Sequence, residues 1–310
     1  MPPRNPTHTP ATTYTLITEP DRGLTAIYNL IASAKKSVDI TIYELTDITV
    51  TSMLGKLAAA GIQVRVILDQ NHEKTTNTPA YNHLVQNKVA VHWANPVYFV
   101  THQKTITVDQ ATSAIMTLNL TPNYYSTSRD FAVITNNAAD VAAIEDTFVA
   151  DFSNASITPP TGQNLVWSPT NARSAITALI NGATKSLLLS QEEFSDPGMA
   201  TALGAALKRG VAVTLVQENT NGEFNSALNA LKSRGAKIAV YSSRTGFYIH
   251  AKTVLADYGT AHAKLFVGSE NFSTDSIEKN RELGLIISDA TCMAGVETAL
   301  TADFKRGTAF

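Results

Sequence analysis

The chain has 310 residues, 44% hydrophobic and 16% charged, with a formal charge of −2. That is long enough for one large or two ordinary domains, too apolar for disorder, and too neutral for a broad nucleic-acid-binding face, though a local positive pocket remains compatible with it. The single cysteine, Cys292, excludes an internal disulfide and a cysteine-rich zinc site and reads as a small buried apolar residue.

Residues 1–12, with four prolines, predict an irregular arm, and their opening lacks the apolar core of a signal peptide. No run of 18 apolar residues exists, so no transmembrane segment is expected. Low charge with abundant Thr, Asn and Ala suits a soluble protein, or a secreted one whose leader has been removed; the compartment is not legible.

From Gly23 to Ala34, Leu24, Ile27, Leu30 and Ile31 fall at helical spacing. KKSVDITIYEL then reads as a strand with a half-buried pleat, Ser52 to Ala60 as a helix stopped by Gly61, and IQVRVILD as a strand. Strand, helix and strand of these lengths predict a parallel crossover. Residues 70–97 read as polar and turn-rich, then a short helix and the strand VAVHW, and 141–152 as a helix. NASITPPTGQN, residues 154–164, predicts a linker.

Beyond it the plan begins again. Lys36-Ser37 falls on Lys185-Ser186, Glu44 on Glu193, and Gly61 on Gly210, each at an offset of 149. His102 to His250 gives 148, while Asn119 to Asn271, Arg129 to Arg281 and Asp151-Phe152 to Asp303-Phe304 give 152. The chain is therefore a duplication, with repeats at 13–153 and 165–310. Two like halves most simply pack about a pseudo-twofold axis, with equivalent residues facing one shared cleft.

Each repeat carries H-x-K-x-x-x-x-D: His102, Lys104 and Asp109, then His250, Lys252 and Asp257. On a strand, residues two apart share a face, so each H-x-K predicts an imidazole beside an ammonium. Two such pairs supply a nucleophile, a proton donor and positive charge for a phosphodiester without a metal or other cofactor. Thr117-x-Asn119 and Ser269-x-Asn271 follow, with amides suited to phosphate oxygens, on strands expected to neighbour the H-x-K strands. A histidine nucleophile also needs an acceptor on its other nitrogen. Asp109 and Asp257, seven residues on, point to the opposite strand face about 23 Å away and read as structural turn caps. Asp130 and Glu282, after a return turn, are the preferred orienting acids.

This doubled pattern resembles the phospholipase D superfamily across nearly the whole chain. The resemblance implies two αβα repeats with β-sheets flanked by helices, one active-site cleft, and a phosphohistidine intermediate. It makes His102 the nucleophile and His250 the acid, with Lys104, Lys252, Asn119 and Asn271 clamping phosphate. Thr117 stands where serine is common, the glycines before the second motif are only partly present, and the orienting acid differs between halves.

Phe99, Phe247 and Tyr248 are candidate substrate-wall residues alongside Thr117 and Ser269, although aromatics here also suit strand packing. Glu44, Glu192 and Glu193 follow equivalent strands and are candidates for the cleft. His8, His72, His83, His92 and His262 read as surface or loop residues without metal-ligand spacing, with His72 a candidate for the cleft mouth. The expected activity is hydrolysis or transphosphatidylation of phospholipid head groups by a monomer capable of peripheral membrane contact. A single-strand nuclease and a non-catalytic phosphate-ligand binder are the alternatives, the former disfavoured by the lack of Lys/Arg clusters.

Overall fold

The computed structural model describes residues 11–310, so most of the proline-rich arm, His8 included, lies outside the described residues. The first half runs β1 (Tyr14–Glu19), α1 (Thr25–Ala32), β2 (Ser37–Ile42), α2 (Ile48–Ala59), β3 (Gln63–Leu68), α3 (Lys74–Gln86), β4 (Ala90–Trp93), β5 (Thr105–Val108), β6 (Thr112–Met116), β7 (Ser128–Thr135) and α4 (Ala138–Phe152). The second runs β8 (Leu165–Ser168), α5 (Ala172–Gly182), β9 (Ser186–Gln191), α6 (Pro197–Lys208), β10 (Ala212–Glu218), α7 (Asn225–Lys232) and β11 (Lys237–Tyr241). It continues through β12 (Tyr248–Ile249), β13 (Lys252–Ala256), β14 (Lys264–Gly268), α8 (Thr274–Glu278), β15 (Glu282–Ile287), α9 (Ala290–Arg306) and β16 (Thr308–Ala309).

The duplication holds at the level of topology. One sheet is ordered β1-β7-β6-β5-β2-β3-β4 and the other β8-β15-β14-β13-β9-β10-β11, with β16 added at the β11 edge, so the halves correspond strand for strand. In each, the crossover strands β2, β3, β4 and β9, β10, β11 are parallel. The strands beyond them are antiparallel, which makes both sheets mixed.

Three local expectations change. Helix α2 starts at Ile48 rather than Ser52, because the Asp47 carboxylate accepts the Thr49 and Val50 N–H groups as an N-cap. Helix α3 is longer than the short helix expected and reaches back to Lys74 in the stretch read as turn-rich, fixed where Asn77 bonds Leu45 N, Tyr43 O and Asp69 O. Strand β2, expected to be half-buried, is buried on both faces. One face lies in the core shared with α1 and α2; on the other, Asp39 takes a bidentate contact from Arg65, which sits over Phe148 of α4.

Each half has its own core, and a third joins them, packing Ile115, Phe131 and Val133 of β6 and β7 with Trp167, Leu265 and Leu283 of the second sheet. Residues 154–164 form no helix or strand, but their end is fastened: Asp140 accepts Gln163 N, Asn164 N and Asn164 Nδ2. The halves also exchange backbone reciprocally. Strand β12 adds to β7 with Tyr248 opposite Ser128 and Ile249 opposite Arg129, while Thr101 bridges Arg281. Such mutual contacts between equivalent segments are what a pseudo-twofold arrangement produces.

Candidate active site

Both histidines sit on the exchanged segments. The H-x-K residues were expected within strands, but His102 and Lys104 precede β5, and His250 lies between β12 and β13. At these points the chain leaves the partner half to enter its own sheet. His102 N and Gln103 N donate to Arg281 O, and His250 N and Ala251 N to Arg129 O. Each lysine turns back onto its own histidine carbonyl: Lys104 Nζ to His102 O at 2.7 Å, Lys252 Nζ to His250 O at 2.5 Å.

The exchange decides which acid meets which histidine. His102 Nδ1 lies 2.8 Å from Glu282 Oε2, and His250 Nδ1 lies 2.7 Å from Asp130 Oδ1. Asp130 and Glu282 do contact the imidazoles, but crosswise, each half's acid holding the other half's histidine. Thr117 and Ser269, read as substrate contacts, instead brace this arrangement. Thr117 Oγ1 donates to Asp130 Oδ1 at 2.5 Å and accepts Phe131 N, and Ser269 Oγ accepts Leu283 N. Glu282 Oε1 is further held by Ser276 Oγ and Asn280 Nδ2.

The motif arginines repeat the crossing. Arg129 binds Asp303 of α9 through Nε and Nη2, and Arg281 binds Asp151 of α4. No role was assigned to them from the sequence, although the shared offset of Arg129 to Arg281 and Asp151 to Asp303 was visible there. Asp109 and Asp257 stay away from the imidazoles. Asp109 accepts the N–H groups of Lys35, Lys36 and Ser37, and Asp257 those of Thr184, Lys185 and Ser186.

His102 and His250 line one cavity of about 250 Å³ with Asn119, Asn271, Asp130 and Tyr248. The asparagines stand just past β6 and β14, in the loops rather than on the strands, with both Oδ1 atoms lacking partners. Glu44, Glu192 and Glu193 line the same space, as do Glu19, Tyr43 and Tyr124. Glu19 and Tyr43 escaped the sequence reading, since neither belongs to a motif. Phe99 does not line this cavity; it meets His72 in a separate open groove, and Phe247 stacks over Arg129.

Electrostatics differ across the cavity. Burial, with Lys252 nearby, brings Lys104 down to about 7. Burial also lowers His102, reinforced by Lys104 and Lys252 and opposed by Glu282. Burial works to raise Glu282, but the His102 contact and Lys104 hold it below the usual carboxylate range. In the second half Glu192 takes the position equivalent to Tyr43. Its Oε2 meets Lys252 Nζ at 2.6 Å and Asn271 Nδ2 at 3.1 Å, lies 3.8 Å from His250 Nε2, and its Oε1 accepts Tyr248 OH. Glu192 thus engages the groups an oxyanion would use. Burial opposes its ionisation, but Lys252 and His250 hold it well below the usual range.

A family model described as cardiolipin synthase, PLD-like domain matches residues 27–152 and again 176–305, one match per structural repeat. Cardiolipin synthase A of Pseudomonas syringae pv. syringae (strain B728a) is 24% identical over 320 residues, covering 90% of this chain and 66% of that protein. Polyphosphate kinase from Porphyromonas gingivalis superposes with a TM-score of 0.73 at 17% identity, over 94% of this chain and 50% of that one. Phosphatidylserine synthase from Haemophilus influenzae Rd KW20 gives 0.71 at 14%, over 96% and 87%. The chain therefore spans just under two thirds of the matched synthase and half of the kinase, and the structural likenesses speak for the fold. With both repeats matched along most of their length, the chain belongs to the phospholipase D superfamily, in the family of cardiolipin synthase PLD-like domains.

Proposed function

We propose that the protein is a metal-independent phosphodiesterase that hydrolyses or exchanges phospholipid head groups through a phosphohistidine. The observation carrying this reading is the pair of crossed imidazole–carboxylate contacts opening on one cavity. With Nδ1 hydrogen-bonded to Glu282, His102 presents the Nε2 lone pair to phosphorus. Its lowered basicity keeps the ring neutral, as a nucleophile requires. His250, between Asp130 and Glu192, is placed to hold a proton for the leaving oxygen.

In the first step a P–Nε2 bond forms at His102, the P–O bond breaks, and the His250 proton passes to the departing alcohol. In the second, His250 takes a proton from water or an acceptor alcohol, whose oxygen displaces Nε2. Lys104, Lys252, Asn119 and Asn271 supply charge and hydrogen bonds to the equatorial oxygens. The named activities of cardiolipin synthase A and phosphatidylserine synthase favour a lipid phosphodiester and transfer to an alcohol. Asp109 and Asp257 act structurally.

The test is a trap. Bis(p-nitrophenyl) phosphate has a leaving group that needs no proton, so a His250→Asn variant should release one equivalent of nitrophenolate and stall. Intact mass spectrometry, with chelator present throughout, should then find an acid-labile phosphoryl adduct on His102. A His102→Asn variant should give neither burst nor adduct. An adduct on another residue, or wild-type turnover that vanishes with chelator, refutes the proposal.

A further inference from the structure

The backbone that carries each histidine is held along two edges. One edge faces the other half: Val100 O accepts Arg281 N, and His102 N and Gln103 N donate to Arg281 O. The Thr101 N–H between them points back to its own half, where Asp69 Oδ2 accepts it at 2.8 Å. In the second half Tyr248 N donates to Thr127 O and His250 N to Arg129 O, while the intervening Ile249 N–H meets Glu218 Oε2 at 3.3 Å. Thr101 and Ile249 are buried, so without these acids each N–H would be stranded away from water.

Asp69 follows β3 and Glu218 ends β10, the equivalent strand, and the two acids stand at the repeat offset of 149. Each divides its oxygens in the same way. Asp69 Oδ1 accepts His72 N and Glu73 N from the segment leading into α3, and Glu218 Oε1 accepts Ser243 N and Thr220 Oγ1. One oxygen therefore anchors a loop of its own half, and the other carries the residue just before the histidine. Both acids are buried, at 1% and 4% exposure, and neither lines the central cavity, so they reach the chemistry only through the histidine segments. Each imidazole is thus set by two acids, its ring by the other half's Glu282 or Asp130 and its backbone by its own half's Asp69 or Glu218.

We propose that Asp69 and Glu218 are positioning residues that fix how far His102 and His250 reach into the cavity, Asp69 acting on the nucleophile and Glu218 on the proton-transferring histidine. The inference rests on the phosphodiesterase reading above and adds two residues to it. An amide cannot replace either carboxylate, because both oxygens accept and an NH2 group would face an N–H. Misplacing a reacting group by about 1 Å costs up to about 10²-fold in rate.

Bis(p-nitrophenyl) phosphate separates the two roles. In a His250→Asn background, where the nitrophenolate burst reads phosphoenzyme formation alone, Asp69→Asn should slow the burst about thirtyfold and Glu218→Gln should leave it within about threefold. With His250 present, Glu218→Gln should lower kcat about thirtyfold. Asp109→Asn removes a comparable acceptor from a segment without a histidine and should change neither rate by more than about threefold. Should the amide variants fail to fold, Asp69→Glu and Glu218→Asp keep both acceptors and alter only the reach by one methylene; they should show the same split at about tenfold. A burst slowed alike by variants of both acids, or rates unchanged in all of them, overturns the positioning role and leaves the phosphohistidine standing. Independently of turnover, nitrogen NMR of the full chain labelled at its 7 histidines, assigned with the His→Asn variants, should show Asp69→Asn moving the His102 ring signals and Glu218→Gln those of His250. Movement of both rings in either variant, or of neither, overturns the inference. The split NMR response with no nitrophenolate release from the wild type sinks the phosphodiesterase reading and upholds the placement of the histidines by these acids.

Discussion

The two halves share seven equivalent strands in the same order, yet their histidines stand in different company. His102 meets one carboxylate, Glu282, with the edge of Tyr43 packed against its ring at 4.7 Å between centroids. His250 meets Asp130 on one nitrogen and approaches Glu192 on the other, with Glu19 opposite Asp130 on the neighbouring strand. At the Glu19 position the second half carries Ser168, whose hydroxyl turns away to Ser276 O. Duplication supplied two copies of one machine; substitutions at the positions of Tyr43 and Glu192, and of Glu19 and Ser168, made the copies unequal. The lesson is that role assignment lies in the residues around the motifs, since the motifs themselves are symmetric.

Crossed pairing gives the largest expected effect. Asp130→Asn should cripple the proton-donating half and Glu282→Gln the nucleophilic half, each lowering kcat by about 10²- to 10⁴-fold. The sharper measurement is a double-mutant cycle. Asp130→Asn should be strongly non-additive with His250→Ala and close to additive with His102→Ala in the unfolding free energy measured with urea. Coupling of Asp130 to His102, its own half's histidine, would break the comparison.

A smaller effect follows from Lys104. Its ammonium is present below about 7 and lost above, so an anion bound there should loosen as pH rises through that value. Sulfate, whose own charge is constant in this range, should weaken by about tenfold per unit above neutrality. Glu19 reinforces the trend, because its carboxyl ionises near the same pH and adds negative charge. Calorimetry on Lys104→Met should show weaker binding at pH 6 with a flatter slope, whereas Glu19→Gln should flatten the slope without the loss at pH 6. An unchanged slope in Lys104→Met would remove Lys104 from the anion site.

Much of this was legible in the sequence because it is local or repeated. The duplication appeared as offsets of 148 to 152 along both halves, and the H-x-K and Asn positions as spacings. What stayed hidden is where chains cross. Periodicity within β7 does not say that Arg129 O receives the Ala251 N–H, so the pairing of Asp130 with His250 rather than His102 was out of reach. Thr117 was misread for the same reason: its partner, Asp130, is thirteen residues away and fixed by sheet register. Glu19 lies outside every motif and reaches the cavity only because β1 pairs with β7.

Asp109 and Asp257 give the smallest effect and the cleanest control, because here the halves are alike. Both hold positive φ, 55° and 53°, at the end of β5 and β13, and both gather three successive backbone N–H groups from the segment entering β2 or β9. Burial works against ionisation, but those donors hold each carboxyl below the usual aspartate range. The stabilisation is therefore present at neutral pH and lost as pH falls through the lowered value. Removing the acceptor in Asp109→Ala or Asp257→Ala strands the donors and should cost about 2 kcal/mol in each half. Asn tolerates the left-handed backbone and keeps one acceptor, so Asp→Asn should cost about half as much. Urea denaturation measures both, and kcat per folded molecule should stay within about threefold of wild type, because the carboxylates face residues 35–37 and 184–186 rather than the cavity. A fully folded Asp109→Asn protein without activity would mean that this acid, and not Asp130 or Glu282, completes the chemistry.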